Sequence, residues 1–191
     1  MVENDTAAVA QAQIGDPDAF GVLVKRHSPG IFRLAYRMTG NEHDAEEVVQ
    51  ETFLKAYRQL HRFQSRSSFG TWLHQIACNC SFDLVRARRR HQDRRQTEES
   101  DGSDPLLRLV TADPGPDRKA FSAEVQSRIA AALALLGPGE RAAFVLRHFE
   151  GMSIEEVGKV LGTRTSATKH SVFRAVHKLR LALEPIVRSA R

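Results

Sequence analysis

Apolar residues recur at helical spacing along nearly the whole chain, and no segment sustains the strict alternation of a half-buried strand. A short helix is expected over residues 5 to 14. Asp16-Pro17 reads as an N-cap followed by proline at the first helical position, with Ala19, Phe20, Leu23 and Val24 as the apolar face. Ser28-Pro29 repeats that signal and predicts a fresh helix with Ile31, Leu34, Ala35 and Met38 inward, stopped by Gly40. Asn41-Glu-His-Asp44 opens another helix, whose acidic first turn suits the positive end of the helix dipole. Its buried stripe is Ala45, Val48, Val49, Phe53, Ala56 and Leu60. A further helix is expected from about Thr71 to Arg90, with Trp72, Leu73, Ile76, Cys80 and Leu84 inward. Together these helices can bury one core.

The pattern returns at Phe121, Val125, Ile129, Leu133 and Leu136, and Gly137-Pro138-Gly139 breaks it. A helix then carries Phe144, Val145 and Leu146 and stops near Gly151. Ser153-Ile-Glu-Glu156 is a capping box opening a short helix with Ile154, Val157, Val160 and Leu161 inward, ended by Gly162. A turn over Thr163 to Ser166 leads to a longer helix burying Val172, Ala175, Val176 and Leu179.

Between the two sets the composition changes. From Gln96 to Asp117 the acids Glu98, Glu99, Asp101, Asp104, Asp113 and Asp117 face Arg108 alone, among Gly102, Pro114, Gly115 and Pro116. That mixture predicts a flexible acidic linker. The expected fold is therefore all-α: two small helical domains, residues 1–95 and 119–191, joined by a linker over 96–118.

The whole chain has 191 residues, of which 41% are hydrophobic and 27% charged, a globular composition. Its net charge of +5 makes an acidic partner such as nucleic acid plausible. The start, Met-Val-Glu-Asn-Asp, is acidic where a secretory signal needs positive charge, and the longest apolar stretch, Ile129 to Leu136, is too short to span a bilayer. A cytoplasmic protein without membrane insertion is expected. Two cysteines, Cys78 and Cys80, build no disulfide framework.

The sharpest candidate chemistry lies in Ser153 to Leu183, a capped short helix, a glycine, a tight turn and a second helix. This is helix-turn-helix spacing, in which the second helix enters the DNA major groove. Its outward face would offer Thr168, Lys169, Ser171, Arg174 and Lys178, flanked by His170 and His177. Basic side chains there can reach phosphates or guanine edges; the alternative is a helical hairpin with a solvated basic face. In the first domain, Gln75, Asn79, Phe82 and Arg86 form one helical stripe leading into Arg88, Arg89, Arg90, Arg94 and Arg95, with Phe63, Phe69 and Trp72 just upstream. Aromatics beside a basic helix suit unstacked bases, although Phe69 and Trp72 can equally be core. Glu46, Glu47, Gln50 and Glu51 give an acidic face that is either solvated or docks a basic partner. His74 and Cys78 stand four apart, but Cys80 falls on the apolar stripe and no second ligand pair has finger-like spacing, so no metal site is expected. Phosphate-loop, metalloprotease and nucleophile-elbow motifs are missing, and no catalytic site or cofactor is expected.

Two motif sets carry a resemblance to a known family. Asp44-Ala-Glu-Glu-Val-Val-Gln-Glu-Thr-Phe-Leu-Lys-Ala-Tyr57 resembles the region-2 helix of sigma-70 family factors, and Gly70-Thr-Trp-Leu-His-Gln-Ile-Ala-Cys-Asn79, with Asp83 and Arg86, resembles the next helix. Gly151-Met-Ser-Ile-Glu-Glu-Val-Gly158, Leu161-Gly162, Phe173-Arg174-Ala175 and Leu179-Arg180 resemble region 4. With no further domain between or before them, the likeness is to the extracytoplasmic-function (ECF) class.

The resemblance implies a transcription initiation factor that binds RNA polymerase core, at the clamp of the largest subunit and at the flap, and directs it to promoter DNA. Core binding would use Asp44, Glu47, Gln50, Glu51 and Lys55. Recognition and melting of the −10 element would use Arg66, Ser67, Phe69, Trp72, Gln75, Asn79, Arg86, Arg89 and Arg90. The −35 element would be read by Arg164, Ser166, Thr168, Lys169, His170, Ser171 and Arg174. An anti-sigma factor gripping both domains is a further implied partner. Two departures stand out: Ser166-Ala-Thr168 where the family usually has Gly-Thr-Val, and Leu136-Gly-Pro-Gly-Glu-Arg141 where it has Leu-Pro-x-x-x-Arg.

Overall fold

A computed structural model describes residues 5–98 and 129–189. Every regular element among the described residues is a helix. The chain divides into two compact units, the first through Leu84 and the second from Val85. Beyond residue 98, the expected linker and the helical pattern expected from Phe121 to residue 128 lie outside the described residues. Residues 96–98, assigned above to the linker, are helical.

The first unit contains α1 (Thr6–Gln13), α2 (Pro17–Thr39), α3 (Glu42–Gln59), a 3-10 turn (Leu60–Arg62) and the start of α4 (Phe69–Glu98). Asp16 caps α2 as expected, its carboxylate accepting from the N–H groups of Asp18 at 2.9 Å and Ala19 at 3.3 Å. Gly40, at φ +85°, ends the helix in the left-handed region that suits glycine. The fresh helix expected at Ser28-Pro29 does not form, because α2 runs through Pro29 without a break. An interior proline forfeits one ladder hydrogen bond and costs about 3 kcal/mol. Here one buried stripe, Ala19, Leu23, Ile31, Leu34, Ala35 and Met38, spans the proline. Burying each large member contributes roughly 1.5–3 kcal/mol, enough to hold the helix together across it.

α3 begins with a reciprocal clip. The Asn41 side chain accepts from the Asp44 N–H and donates to the Asp44 carboxylate, each at 2.8 Å. α1 is tied to the 3-10 turn by Gln13, whose amide donates to the carbonyls of Leu60 at 3.0 Å and Phe63 at 2.8 Å. Both cysteines are buried, Cys78 completely.

In the second unit, helical residues 129–134 form α5, followed by α6 (Pro138–His148), α7 (Ile154–Leu161) and α8 (Thr165–Ser189). Gly137-Pro138 ends one helix and starts the next, with Pro138 in the first turn of α6, where its missing N–H costs nothing. Arg141 donates from Nε to the carbonyl of Leu133 at 2.8 Å, tying α6 back to α5. Ala132, Leu133, Leu136, Ala175 and Leu179 form one core cluster, with Phe144 packed against it. The Ser153 capping box is present: Ser153 Oγ accepts from the Glu156 N–H at 3.2 Å, and the Glu156 carboxylate accepts from the Ser153 N–H at 2.8 Å.

Candidate nucleic-acid interface

The helix-turn-helix is built around a close approach. α7 ends at Gly162, at φ +63°, and α8 starts at Thr165, one residue before the expected turn closes. The Thr163 N–H donates to the Gly158 carbonyl at 2.9 Å. A Cβ on Gly158 would meet the Thr163 carbonyl oxygen at 2.9 Å and Thr168 Oγ1 at 3.2 Å, so the turn closes tightly only over a residue without a side chain.

Thr168 corrects the sequence reading. Expected on the outward face, it is 1% exposed. Its Oγ1 donates to the Arg164 carbonyl at 3.1 Å and pairs with Thr163 Oγ1 at 2.8 Å. Thr168 thus latches the turn and is not placed to touch DNA. Thr168→Val retains the shape but strips both hydrogen bonds, with an expected loss of about 1–2 kcal/mol. A thermal melt of the full chain should show a lowered midpoint for this unit.

Arg164, Ser166, Lys169, His170 and Arg174 are exposed as expected, and Ser171 is half-buried. Two features were missed. Phe173, 72% exposed, stands with His170 and His177 on the side of α8 opposite Ala175 and Leu179. Helical phase carries the signal: Phe173 is two residues, about 200° round the helix, from Ala175. The other is Glu140 on α6, which forms an ion pair with Arg174 Nε at 3.0 Å and accepts from Lys178 Nζ at 2.7 Å. The hydrogen bond from Lys178, with smaller help from the Gly137 N–H and Arg174, holds its carboxyl below the usual glutamate value.

In the first unit, residues 63–68 form the loop before α4. Ser65 sits at φ +52°, uncommon for a residue with a side chain. Ser68 Oγ accepts from the Thr71 N–H at 3.1 Å and closes the start of α4. Beneath the loop lies an aromatic cluster. Phe63 and Trp72 have ring centroids 4.9 Å apart, Phe69 and Trp72 5.7 Å, and His27 and Phe69 5.3 Å. His27 is in turn held by Asp5 at 2.9 Å. Phe69, expected as a DNA contact, is 3% exposed: it supports the loop from below, whereas Trp72 is half-buried. Arg66, Gln75, Asn79, Arg86, Arg89 and Arg90 are exposed, and Ser67 is half-buried. Gln75 and Asn79 fall on one stripe of α4, as expected.

On α3, Glu47 and Gln50 are exposed, while Glu51 and Lys55 are partly so and pair at 3.3 Å. Asp44 departs from that face: it is 2% exposed and spent on the Asn41 clip. An open groove of about 640 Å³ beside Gln50, lined by Pro29, Phe32, Arg33, Glu46 and Val49, was not anticipated. The Pro29 that failed to start a helix is part of its wall. Lys55 Nζ also lies 3.6 Å from Cys80 Sγ. Burial pushes the Cys80 thiol above the ordinary cysteine value, against the pull of Lys55. His74 donates from Nδ1 to the Gly70 carbonyl at 2.6 Å. Among the described residues no group of three metal-ligating side chains occurs, and no helix is long and apolar enough to cross a membrane.

The second unit thus presents exposed basic side chains on a helix-turn-helix, the pattern of a DNA-binding module. Comparison with known proteins makes the class definite. Residues 23–91 match the family model Sigma-70 region 2, and residues 126–179 match Sigma-70, region 4. The chain is 37% identical over 158 residues to the ECF RNA polymerase sigma factor SigE of Mycolicibacterium smegmatis, covering 83% of this chain and 59% of that protein. It is 33% identical over 180 residues to the RNA polymerase sigma factor CnrH of Cupriavidus metallidurans, covering 94% of each. The solved structure of CnrH with the cytosolic domain of CnrY superposes with a TM-score of 0.71 at 30% identity, over 96% of this chain and 99% of that one. That of the sigma factor RpoE of Bartonella quintana with the anti-sigma factor NepR gives 0.63 at 26%, over 85% and 93%. The chain belongs to the sigma-70 family of RNA polymerase sigma factors, in the ECF class.

Proposed function

We propose that this chain directs RNA polymerase core to specific promoters from the cytoplasm, acting by binding alone. The face of α3 bearing Glu47, Gln50 and Glu51 docks on the clamp of the largest subunit, and the second unit engages the flap. The stripe Gln75, Asn79 and Arg86, continued by Arg89 and Arg90, holds the −10 strand. Lys169, His170 and Arg174 on α8 read the −35 element. Phosphate contacts supply salt-sensitive affinity, and base contacts select the site. Unstacking a −10 base costs a few kcal/mol, offset by its capture against the protein.

The observation that carries this reading is the alignment on α4. Exposed amide side chains at 75 and 79 lie on one stripe beside the half-buried Trp72 and run on into exposed arginines. Amides suit the edges of an unpaired base, an aromatic face suits stacking, and arginines hold the backbone. An anti-sigma factor is proposed as the partner that keeps the chain inactive, on the precedent of RpoE solved with NepR.

The test is permanganate reactivity of unpaired thymines in promoter fragments bound by core polymerase plus this chain. Reactive thymines near −10 should require the chain and should fade with Gln75→Ala and Asn79→Ala together. Melting that persists undiminished in that variant would remove α4 from the mechanism.

A further inference from the structure

The exposed basic side chains of α8 are not equivalent. Lys169 and His170 stand on its N-terminal part, whereas Arg174 and Lys178, one turn apart, converge on a single acid of another helix. Glu140 Oε1 forms an ion pair with Arg174 Nε at 3.0 Å, and Oε2 accepts from Lys178 Nζ at 2.7 Å. Oε2 also receives the Gly137 N–H at 3.4 Å, half of a capping box at the start of α6. The Glu140 side chain is 13% exposed, while those of Arg174 and Lys178 remain 60% and 47% exposed. The acid is therefore fixed, and the cations it holds still face outward.

Stability gives little reason for this arrangement, since ion pairs whose cations stay largely in solvent contribute about 0–1 kcal/mol. A carboxylate near a phosphate-binding surface also works against plain affinity, because it cancels charge that would release counterions. What it supplies is orientation. Guanidinium is planar with five donors, and an ion pair that draws its Nε edge to a fixed carboxylate leaves the two terminal nitrogens for another partner. That pair of donors matches the O6 and N7 acceptors of guanine in the major groove. Held at Nζ, Lys178 is meanwhile restrained from the DNA backbone.

We propose that Glu140 is a positioning residue for promoter selection: it aims the terminal nitrogens of Arg174 at one base pair of the −35 element and holds Lys178 back from phosphate. The proposal rests on α8 being the helix that enters the groove. It makes Glu140 a determinant of specificity that lowers non-specific affinity.

The experiment uses holoenzyme assembled from core polymerase and the full chain, with duplexes randomised across the −35 region and bound fractions counted by sequencing at several salt concentrations. Glu140→Gln should flatten the preference at one base pair by about tenfold while leaving the other positions unchanged. Its non-specific binding should strengthen, with a salt dependence steeper by about one counterion as Lys178 is released. Arg174→Ala should flatten the same position, and adding Glu140→Gln to it should cause no further loss. Glu140→Asp, whose carboxylate can still pair, should restore part of the preference. A purely structural Glu140 would lower the melting point and weaken all sequences alike. That outcome, or an unchanged preference in Glu140→Gln beside a flattened one in Arg174→Ala, overturns the proposal and leaves α8 as the reader. If neither Lys169→Ala nor Arg174→Ala alters any position, the assignment of α8 fails, and the proposal with it.

Discussion

Replacing Glu47 and Glu51 together by lysine is expected to lower affinity for core RNA polymerase on the order of 100-fold, with the fold intact. Glu47 is exposed on α3, and Glu51 is partly exposed and engaged only by Lys55, one turn away on the same helix, among the described ion pairs. An exposed pair at that spacing contributes about 0.3–0.5 kcal/mol, so its loss barely touches folding. At a docked face the same change turns two attractions into two repulsions, and like charges set together at an interface cost several kcal/mol. Titration of labelled chain with core polymerase measures the affinity, and a parallel melt checks the fold. Unchanged affinity would mean that this face of α3 is simply solvated. Asp44→Ala should behave in the opposite way, lowering the melt through loss of the Asn41 clip, because its carboxylate is buried within the chain.

Gly158→Val is expected to cost the second unit at least 1–3 kcal/mol and to abolish −35-dependent binding. Even the first carbon of the new side chain would lie 2.9 Å from the Thr163 carbonyl oxygen, which is backbone and cannot swing aside. Relief requires the turn to open, which pulls Thr168 off its partners and shifts the start of α8. Overpacking of this kind costs about 1–3 kcal/mol per site, and a unit this small has little stability in reserve. Hydrogen exchange on α7 and α8 should show lost protection in this unit while α2 and α3 keep theirs, and a gel shift with holoenzyme should show lost preference for the −35 element. Protection and preference both equal to the parent's would show that the turn tolerates a side chain.

Much of this architecture can be read from the residues, because helix ends announce themselves locally. Asp16-Pro17, Asn41, Ser153 with Glu156, Gly40 and Gly162 each act within a turn of their own position, and each marks a boundary found in the fold. Ser28-Pro29 misled for the converse reason. Its local signal is genuine, but the stripe from Ala19 to Met38 needs one continuous helix, and burial outweighs a single proline. The candidate sites were legible at the level of faces and less so at the level of residues. Exposed Lys169, Arg174, Gln75 and Asn79 follow from helical phase. Thr168 and Asp44 do not, since short polar side chains can turn inward wherever a backbone group or a neighbouring amide waits for them. Phe69 stood between two readings that composition cannot separate, and its burial under Trp72 decides for support of the loop. The Glu140 pairing is a tertiary fact: it joins residues 34 and 38 positions apart, and no local pattern announces it.

Run-off transcription with purified core polymerase on a pool of genomic promoter fragments tests most directly whether this chain confers promoter choice on RNA polymerase. Discrete transcripts that appear only with the chain, share upstream −35 and −10 sequences, and disappear with the Glu47, Glu51 double variant are the expected result. A transcript pattern identical with and without the chain, together with no binding to core, would contradict it.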